Sequence, residues 1–333
     1  MQKKILLLQK FKEEDLNFLK DNLSTYYQII VPDEYSDTEL STLIHDVEIC
    51  IGTNIAEKIL QSANKLKIIQ TPGTGVDNFN LNLIEKYNVT LCNSKSQAKY
   101  VAEFAISLLF SLVKKIHIHD KLMREGTWWR PTGTDDDILY LSDSLIDKKI
   151  GFIGFGNIGQ FIAKFLSGFD LHYNAFDLFP KIKFKDIENR TDFCSLQNVV
   201  TNSDYIFITL PLTQYTSGII DKDIFTMAHT NSLWVHISRG PVIKEDDLFN
   251  ALINRSIRGI AIDNWFGNAK IEGTKKYPSE KYPFHELNNV LLSPYRGLYI
   301  NSSSPHLFDV VNNLKLYATS GQLINIINIQ NGF

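Results

Sequence analysis

The run Gly154-Phe155-Gly156-Asn157-Ile158-Gly159 constrains this chain more than any other feature. It follows the apolar segment KIGFI and opens the segment GQFIAKFLSGF, which predicts a strand, a tight turn and a helix in that order. Each glycine has its own reason. The first permits the turn, the second lets a pyrophosphate approach the backbone, and the third lets the helix pack closely on the strand, while the helix N-terminus favours phosphate charge. The next apolar run, HYNAF, ends at Asp177, where a carboxylate can accept hydrogen bonds from the adenosine ribose hydroxyls and repel a 2′-phosphate. NAD is therefore expected over NADP. Lys181 and Lys183 are close enough in sequence to keep that choice open, and Asp177 read by itself can also be a solvated strand end.

The rest of the chain has the rhythm of an α/β protein. From Ile5 to Leu91 the runs ILLL, YYQIIV, VEICIG, LKIIQT and VTLC alternate with helix-like segments such as Glu13 to Asn22 and Asn54 to Ala63, which predicts a mainly parallel sheet. Gly73 and Gly75 in TPGTGVDN mark a tight turn after LKIIQT, a place where ligands sit in open α/β sheets. A second series begins at Lys149, with KIGFIGFG, LHYNAFD, SDYIFITL, NSLWVHIS, IRGIAID and NNVLLSP as six strand candidates. Between the two series, Ala98 to Ile118 reads as one helix and Glu125 to Ser144 as a polar crossover. Gly267 to Glu286, with Pro278 and Pro283, reads as a long excursion between strands, of a length uncommon without a function. After Pro294 there is room for a loop and one or two helices.

Composition excludes several classes. At 333 residues the chain is long enough for two domains, and 44% apolar with 21% charged residues is an ordinary globular balance. Thirty-four Lys and Arg against 37 Asp and Glu, scattered along the chain, argue against nucleic acid as a partner. Cys50, Cys92 and Cys194 are far apart, with no neighbouring His at metal spacing, so no metal site is expected and a reducing cytoplasm fits. The four apolar residues Ile5 to Leu8 are too few for a signal-peptide core. Val101 to Val113 carries Glu103 and stops well short of the roughly 20 residues of a membrane span.

Taken together, TPGTGVDN, VAEFAISLL, GFIGFGNIG, LPLTQYTSGII, HISRGPVIKEDDLFNAL, IRGIAIDNW and NNVLLSP resemble, in order and spacing, the D-isomer-specific 2-hydroxyacid dehydrogenase family. The resemblance covers nearly the whole chain and is most specific from Lys149 to Pro294. It implies a flavodoxin-like substrate domain, residues 1–98 plus 296–333, with a Rossmann cofactor domain, residues 99–295, inserted in it and the active site in the cleft between them. It implies a small-molecule substrate, a 2-keto or D-2-hydroxy acid, and a homodimer whose interface includes the crossover with Trp128 and Trp129, although ordinary burial explains such a pair equally well. Arg239 matches the catalytic arginine, whose guanidinium can grip carboxylate and carbonyl oxygens together. Thr74 and Gly75 match the loop whose backbone N–H groups bind the substrate carboxylate. Pro211, Thr216, Ile237, Ser238 and Asp263 match positions around the nicotinamide, with Asp263 on the carboxamide; turn or capping roles suit Thr216 and Ser238 just as well.

Two positions depart from the family. Its general acid is a His in Thr-Pro-His, paired with a Glu; here the segment reads Ser293-Pro294-Tyr295-Arg296, and Asn268 stands at the Glu position. A phenol titrates near 10, so Tyr295 can give a proton during reduction but is a poor base at neutral pH unless a cation such as Arg296 or Arg239 lowers that value. It can equally just fill the space of the missing His. His285, Glu286, His236 and Glu272 are further candidates for the proton, and a non-catalytic NAD(H)-binding protein is the alternative to an enzyme. A third reading is a dehydrogenase of a bulkier acid, with Tyr282, Phe284, Tyr295 and Tyr299 lining an apolar pocket or serving as ordinary core.

Overall fold

The computed structural model describes residues 2–128, 141–267, 269–301 and 304–333. The chain divides into two compact units, Met1–Gln97 with Asn301–Phe333, and Ala98–Ile300.

The first unit runs β1 (Lys3–Leu7), α1 (Glu13–Leu23), β2 (Tyr27–Ile30), α2 (Asp37–Leu43), β3 (Ile49–Ile51), α3 (Glu57–Gln61), β4 (Ile68–Gln70), α4 (Leu81–Lys86) and β5 (Thr90–Cys92). Its five strands are parallel in the order β2-β1-β3-β4-β5, the flavodoxin-like arrangement. Both faces of the sheet are covered, which is why its strands read as unbroken apolar runs rather than alternating ones. Ile5, Leu7, Ile49 and Ile68 face Leu19 and Leu23 of α1, while Leu6, Cys50 and Ile69 face Ile59, Leu60 and Ile84.

The second unit runs α5 (Ala98–Val113), α6 (Ile116–Arg124), β6 (Lys149–Ile153), α7 (Asn157–Phe165), β7 (His172–Phe176), β8 (Thr191–Phe193), α8 (Leu196–Asn202), β9 (Tyr205–Ile208), α9 (Lys222–Met227), β10 (Leu233–His236), α10 (Glu245–Ile253), β11 (Gly259–Ile262), β12 (Lys270–Glu272), β13 (Lys275–Tyr277) and β14 (Val290–Leu292). A final helix, α11 (Phe308–Ser320), belongs to the first unit, where Val310, Val311 and Leu314 complete the face lined by α1.

The large sheet of the second unit is parallel in the order β14-β11-β10-β9-β6-β7-β8, a doubly wound Rossmann sheet whose order reverses between β6 and β9. Apolar residues of α5 and α7 cover one face, against Phe152, Tyr173, Phe207 and Val235. Those of α8, α9 and α10 cover the other, against Ile153, Ile206, Trp234 and Ile260. Among the described residues no helix is long and apolar enough to cross a membrane.

Four expectations need correction. The helix expected over 98–118 is broken: Lys115 takes φ 50°, and the Val113 carbonyl accepts the Asp143 N–H at 2.9 Å while Lys114 Nζ donates to the Asp143 carbonyl. The Val113 carbonyl, which would have continued α5, is thus taken by a distant segment. The second sheet has seven strands, because the short and largely exposed edge strand β8 carries too little apolar pattern to be read. The excursion after β11 contains a small antiparallel hairpin, β12 with β13. The chain passes back to the first unit at Asn301, not at 296, because residues 295–297 are hydrogen-bonded to Asp263.

Candidate active site

The glycine loop lies at the carboxyl end of β6. Gly154 has φ +95°, where an L side chain is strained, and a Cβ there would sit 2.6 Å from the Leu210 nitrogen. A Cβ on Gly159 would sit 2.9 Å from the Gly154 carbonyl oxygen. Gly156 differs: apart from its chain neighbours, nothing lies within 4 Å of where its Cβ would be. Steric contact explains the first and third glycines, whereas the second, at the N-cap of α7, leaves its backbone open to a ligand. Phe155 is buried among Phe152 and Phe193, and Ile158 packs on the adjoining core.

Asp177, just past β7, is tied to this loop. Its Oδ2 accepts the Phe155 N–H at 2.6 Å and its Oδ1 the Phe179 N–H at 2.9 Å, leaving one further acceptor direction on each oxygen. Gln160, which sequence reasoning missed, donates to the carbonyls of Phe155 and Lys181 at 2.8 and 2.7 Å and accepts the Lys183 N–H at 2.7 Å. It brings Lys183 to the start of α7, where the ammonium meets Asn157 Oδ1. Loop, helix terminus and carboxylate together fit a dinucleotide, with the carboxylate suited to ribose hydroxyls.

The residues matched to the nicotinamide end are closely knit. Thr216 is fully buried, donates to the Pro211 carbonyl at 2.6 Å and accepts the Thr213 N–H at 2.8 Å. Its hydroxyl therefore holds the Pro211–Thr216 turn together, the turn role that such a side chain suits. Ser238 is likewise buried, donates to the Leu210 carbonyl, and so joins the ends of β9 and β10; Ile237 packs into the core.

Arg239 leaves β10 half-buried, with Nη1 3.2 Å from the Ser238 carbonyl. Asp263, at the end of β11, is 4% exposed, and its carboxylate accepts from Ser293 Oγ, the Arg296 N–H at 2.6 Å and the Gly297 N–H at 2.9 Å. Three donors already occupy the group expected to hold the carboxamide. The Asp263 carbonyl takes the Tyr295 N–H at 3.0 Å, and Tyr295 stands 41% exposed with φ +59°, an unusual conformation for an aromatic residue. The Arg296 guanidinium lies over the Tyr299 ring at 5.8 Å. Asn264, Trp265 and Ser293 were not singled out from sequence; the signal was a polar residue following each apolar strand without a break.

In the first unit, Thr74 and Gly75 sit on a half-buried loop after β4. The Thr74 hydroxyl donates to the Ser94 carbonyl at 2.9 Å, and Asn93 Nδ2 donates to the Thr74 carbonyl at 2.7 Å. Among the described residues nothing accepts the Thr74 or Gly75 backbone N–H, so the loop presents two donors to an anion.

The remaining candidates fall elsewhere. His236 is fully buried, burial pushes its pKa down to about 3, and neither ring nitrogen has a partner among the described residues, so it is a neutral core residue at physiological pH. His285 stacks on Tyr277 with centroids 3.8 Å apart and lies 3.8 Å from Glu286; Glu272 pairs with Lys270. Tyr282 stacks on Phe249 of α10 at 4.3 Å and Phe284 meets the same ring edge-on at 5.3 Å, so both take part in core packing. Trp129 and Asn268 lie outside the described residues. Among the described residues no cluster of His, Cys, Asp or Glu is placed to hold a metal ion.

Comparison with known proteins adds an independent line. Residues 106–297, more than half the chain, match the model for the NAD-binding domain of D-isomer-specific 2-hydroxyacid dehydrogenases. A glyoxylate reductase of Thermococcus onnurineus is 24% identical over 306 residues, covering 89% of this chain and 87% of that protein. A D-3-phosphoglycerate dehydrogenase of Mycobacterium bovis is 26% identical over 284 residues, 84% of this chain, which spans only half of that longer protein. Among solved structures, an acyclic imino acid reductase in complex with NADPH and D-Arg superposes with a TM-score of 0.78 at 21% identity, over 98% of this chain and 100% of that one.

Proposed function

The chain belongs to the D-isomer-specific 2-hydroxyacid dehydrogenase family, and on that premise we propose that it reduces a 2-keto acid to a D-2-hydroxy acid, or catalyses the reverse oxidation, with NAD(H) in preference to NADP(H). The observation that carries this reading is Gly156, a glycine whose backbone is open to a ligand, on a loop at the carboxyl end of the same sheet from which Arg239 emerges. The Asp177 carboxylate beside that loop supports NAD(H), since it would accept ribose hydroxyls and repel a 2′-phosphate.

When bound, the nicotinamide supplies the hydride. In the first unit, the Thr74 and Gly75 backbone N–H groups are suited to a carboxylate. Arg239 grips the carboxylate and carbonyl oxygens in bidentate fashion and stabilises the negative charge that develops on the carbonyl oxygen. Tyr295 holds a proton at Oη and gives it to that oxygen, in place of the family's His. The same reading makes the protein a homodimer in a reducing cytoplasm. Exposed Ile116, Met123 and Trp128 on and after α6 support the dimer, and three free cysteines support the compartment.

The test follows NADH absorbance while the purified protein is offered glyoxylate and a panel of larger 2-keto acids, with Tyr295→Phe beside the wild type. Turnover by the wild type and a drop of about 10²-fold or more in the variant are expected. Tight NADH binding with no turnover of any acid would overturn the enzymatic reading and leave a cofactor-binding protein. Full turnover by Tyr295→Phe would remove Tyr295 from the chemistry.

A further inference from the structure

We propose that Asp263, Asn264 and Trp265 form a bracket that fixes Arg239 relative to Tyr295, with Asn264 the positioning residue for Arg239 and Asp263 the positioning residue for Tyr295. The inference rests on the reading that those two side chains act on the substrate, and it extends that reading to the residues that hold them.

Topology makes the bracket possible. β11 lies between β10 and β14, so the three residues that follow it stand between the segment carrying Arg239 and the turn carrying Tyr295. Asp263 and Asn264 form the bend that ends β11, and their side chains reach opposite neighbours. Asp263 reaches the turn after β14, binding Ser293 Oγ and the N–H groups of Arg296 and Gly297 through its carboxylate and the Tyr295 N–H through its carbonyl. Asn264 reaches the end of β10, where its Nδ2 donates to the carbonyls of Ile237, at 3.1 Å, and Ser238. The Ser238 carbonyl is also the acceptor 3.2 Å from Arg239 Nη1, so one oxygen joins the asparagine to the guanidinium.

Trp265 closes the bracket on both sides. Its Nε1 donates to the Ser293 carbonyl at 2.9 Å, and its own carbonyl oxygen would lie 2.3 Å from a Cβ on Gly240, so residue 240 must be glycine for the two segments to pack this closely. Asp263 and Asn264 are 4% and 7% exposed, and water therefore does not compete for these bonds. The left-handed Tyr295 is what such over-determination looks like, since a bulky residue keeps that conformation only where its surroundings hold it. The chemistry needs this control. A guanidinium gripping two oxygens and a phenol giving a proton to one of them must keep their spacing to within about 0.5 Å.

The experiment compares the full-length wild type with Asn264→Val, Asp263→Asn and the milder Ser293→Ala. Hydrogen exchange of segments 237–243 and 293–297 is read without ligand, and NADH and oxamate binding are then read by fluorescence. Each variant is expected to speed exchange in both segments, including the one it does not touch. Asn264→Val is expected to weaken oxamate binding to the NADH-loaded protein by about tenfold while NADH affinity stays within about twofold, a split that general destabilisation would not produce. Exchange that changes only on the substituted side overturns the bracket, and Ser293→Ala decides this if Asp263→Asn does not fold. Wild type that binds NADH but no oxamate counts against the proposed function, whereas the exchange result judges the bracket by itself.

Discussion

Arg239 has requirements that no other cation meets. Its fork can hold a carboxylate and a carbonyl oxygen in one plane, whereas a lysine in the same place offers a point charge on a flexible stem. Arg239→Lys is therefore expected to lower kcat/KM for a 2-keto acid by about 10²-fold or more with NADH affinity unchanged, measured by steady-state kinetics and fluorescence titration. His236, three residues earlier, acts on stability instead. Its pKa in the folded protein, about 3, lies below the ordinary 6.5, so the folded state binds fewer protons than the unfolded chain between those values. Stability is then complete above pH 6.5 and falls as pH drops from 6.5 towards 3. His236→Leu is expected to flatten this acid limb by up to ~1.4 kcal/mol per pH unit in denaturant titrations. Burial lowers His117 and His306 in the same direction, so part of the slope should remain.

The glycine loop shows how one motif carries two kinds of requirement. Gly154→Ala would place a methyl 2.6 Å from backbone at φ +95° and is expected to lower Tm without ligand, a loss of about 1–3 kcal/mol or more. Gly156→Ala meets no protein atom and should fold with Tm nearly unchanged, yet weaken NADH binding at least tenfold by putting a methyl where the pyrophosphate approaches. Unchanged NADH affinity in Gly156→Ala would show that the open position is not a ligand cradle. The elements that were misread share a cause. β8 is three residues on an exposed edge, and the α5–α6 break depends on Asp143, about 30 positions away from Val113 in the chain. Neither leaves a mark in local periodicity.

On the scale of the whole molecule, the second unit is continuous in sequence, while the first needs both ends of the chain. Both apolar clusters that sandwich the seven-stranded sheet come entirely from residues 98–300. That segment expressed alone is expected to fold cooperatively and bind NADH, as judged by circular dichroism and fluorescence titration. Residues 1–97 without 301–333 should fold poorly, because Val310, Val311 and Leu314 of α11 complete one face of the small sheet. An unstructured 98–300 fragment would mean that its core depends on the other unit.

By itself, the sequence determined the two α/β series, the nucleotide loop and the family, because each is written locally: apolar runs for strands buried on both faces, glycines where backbone bends, a carboxylate at a strand end. It also named Arg239, Tyr295 and Asp263, but it could not say what Asp263 touches. Hydrogen bonds formed across neighbouring strand ends decided that. They turned Ser238 into a structural tie and brought Asn264 and Trp265 between the two candidate catalytic segments, while ring packing drew Tyr282 and Phe284 to Phe249. Contacts of that kind join residues tens of positions apart. No spacing rule records them, because parallel pairing and strand order are set only when the whole sheet closes its core.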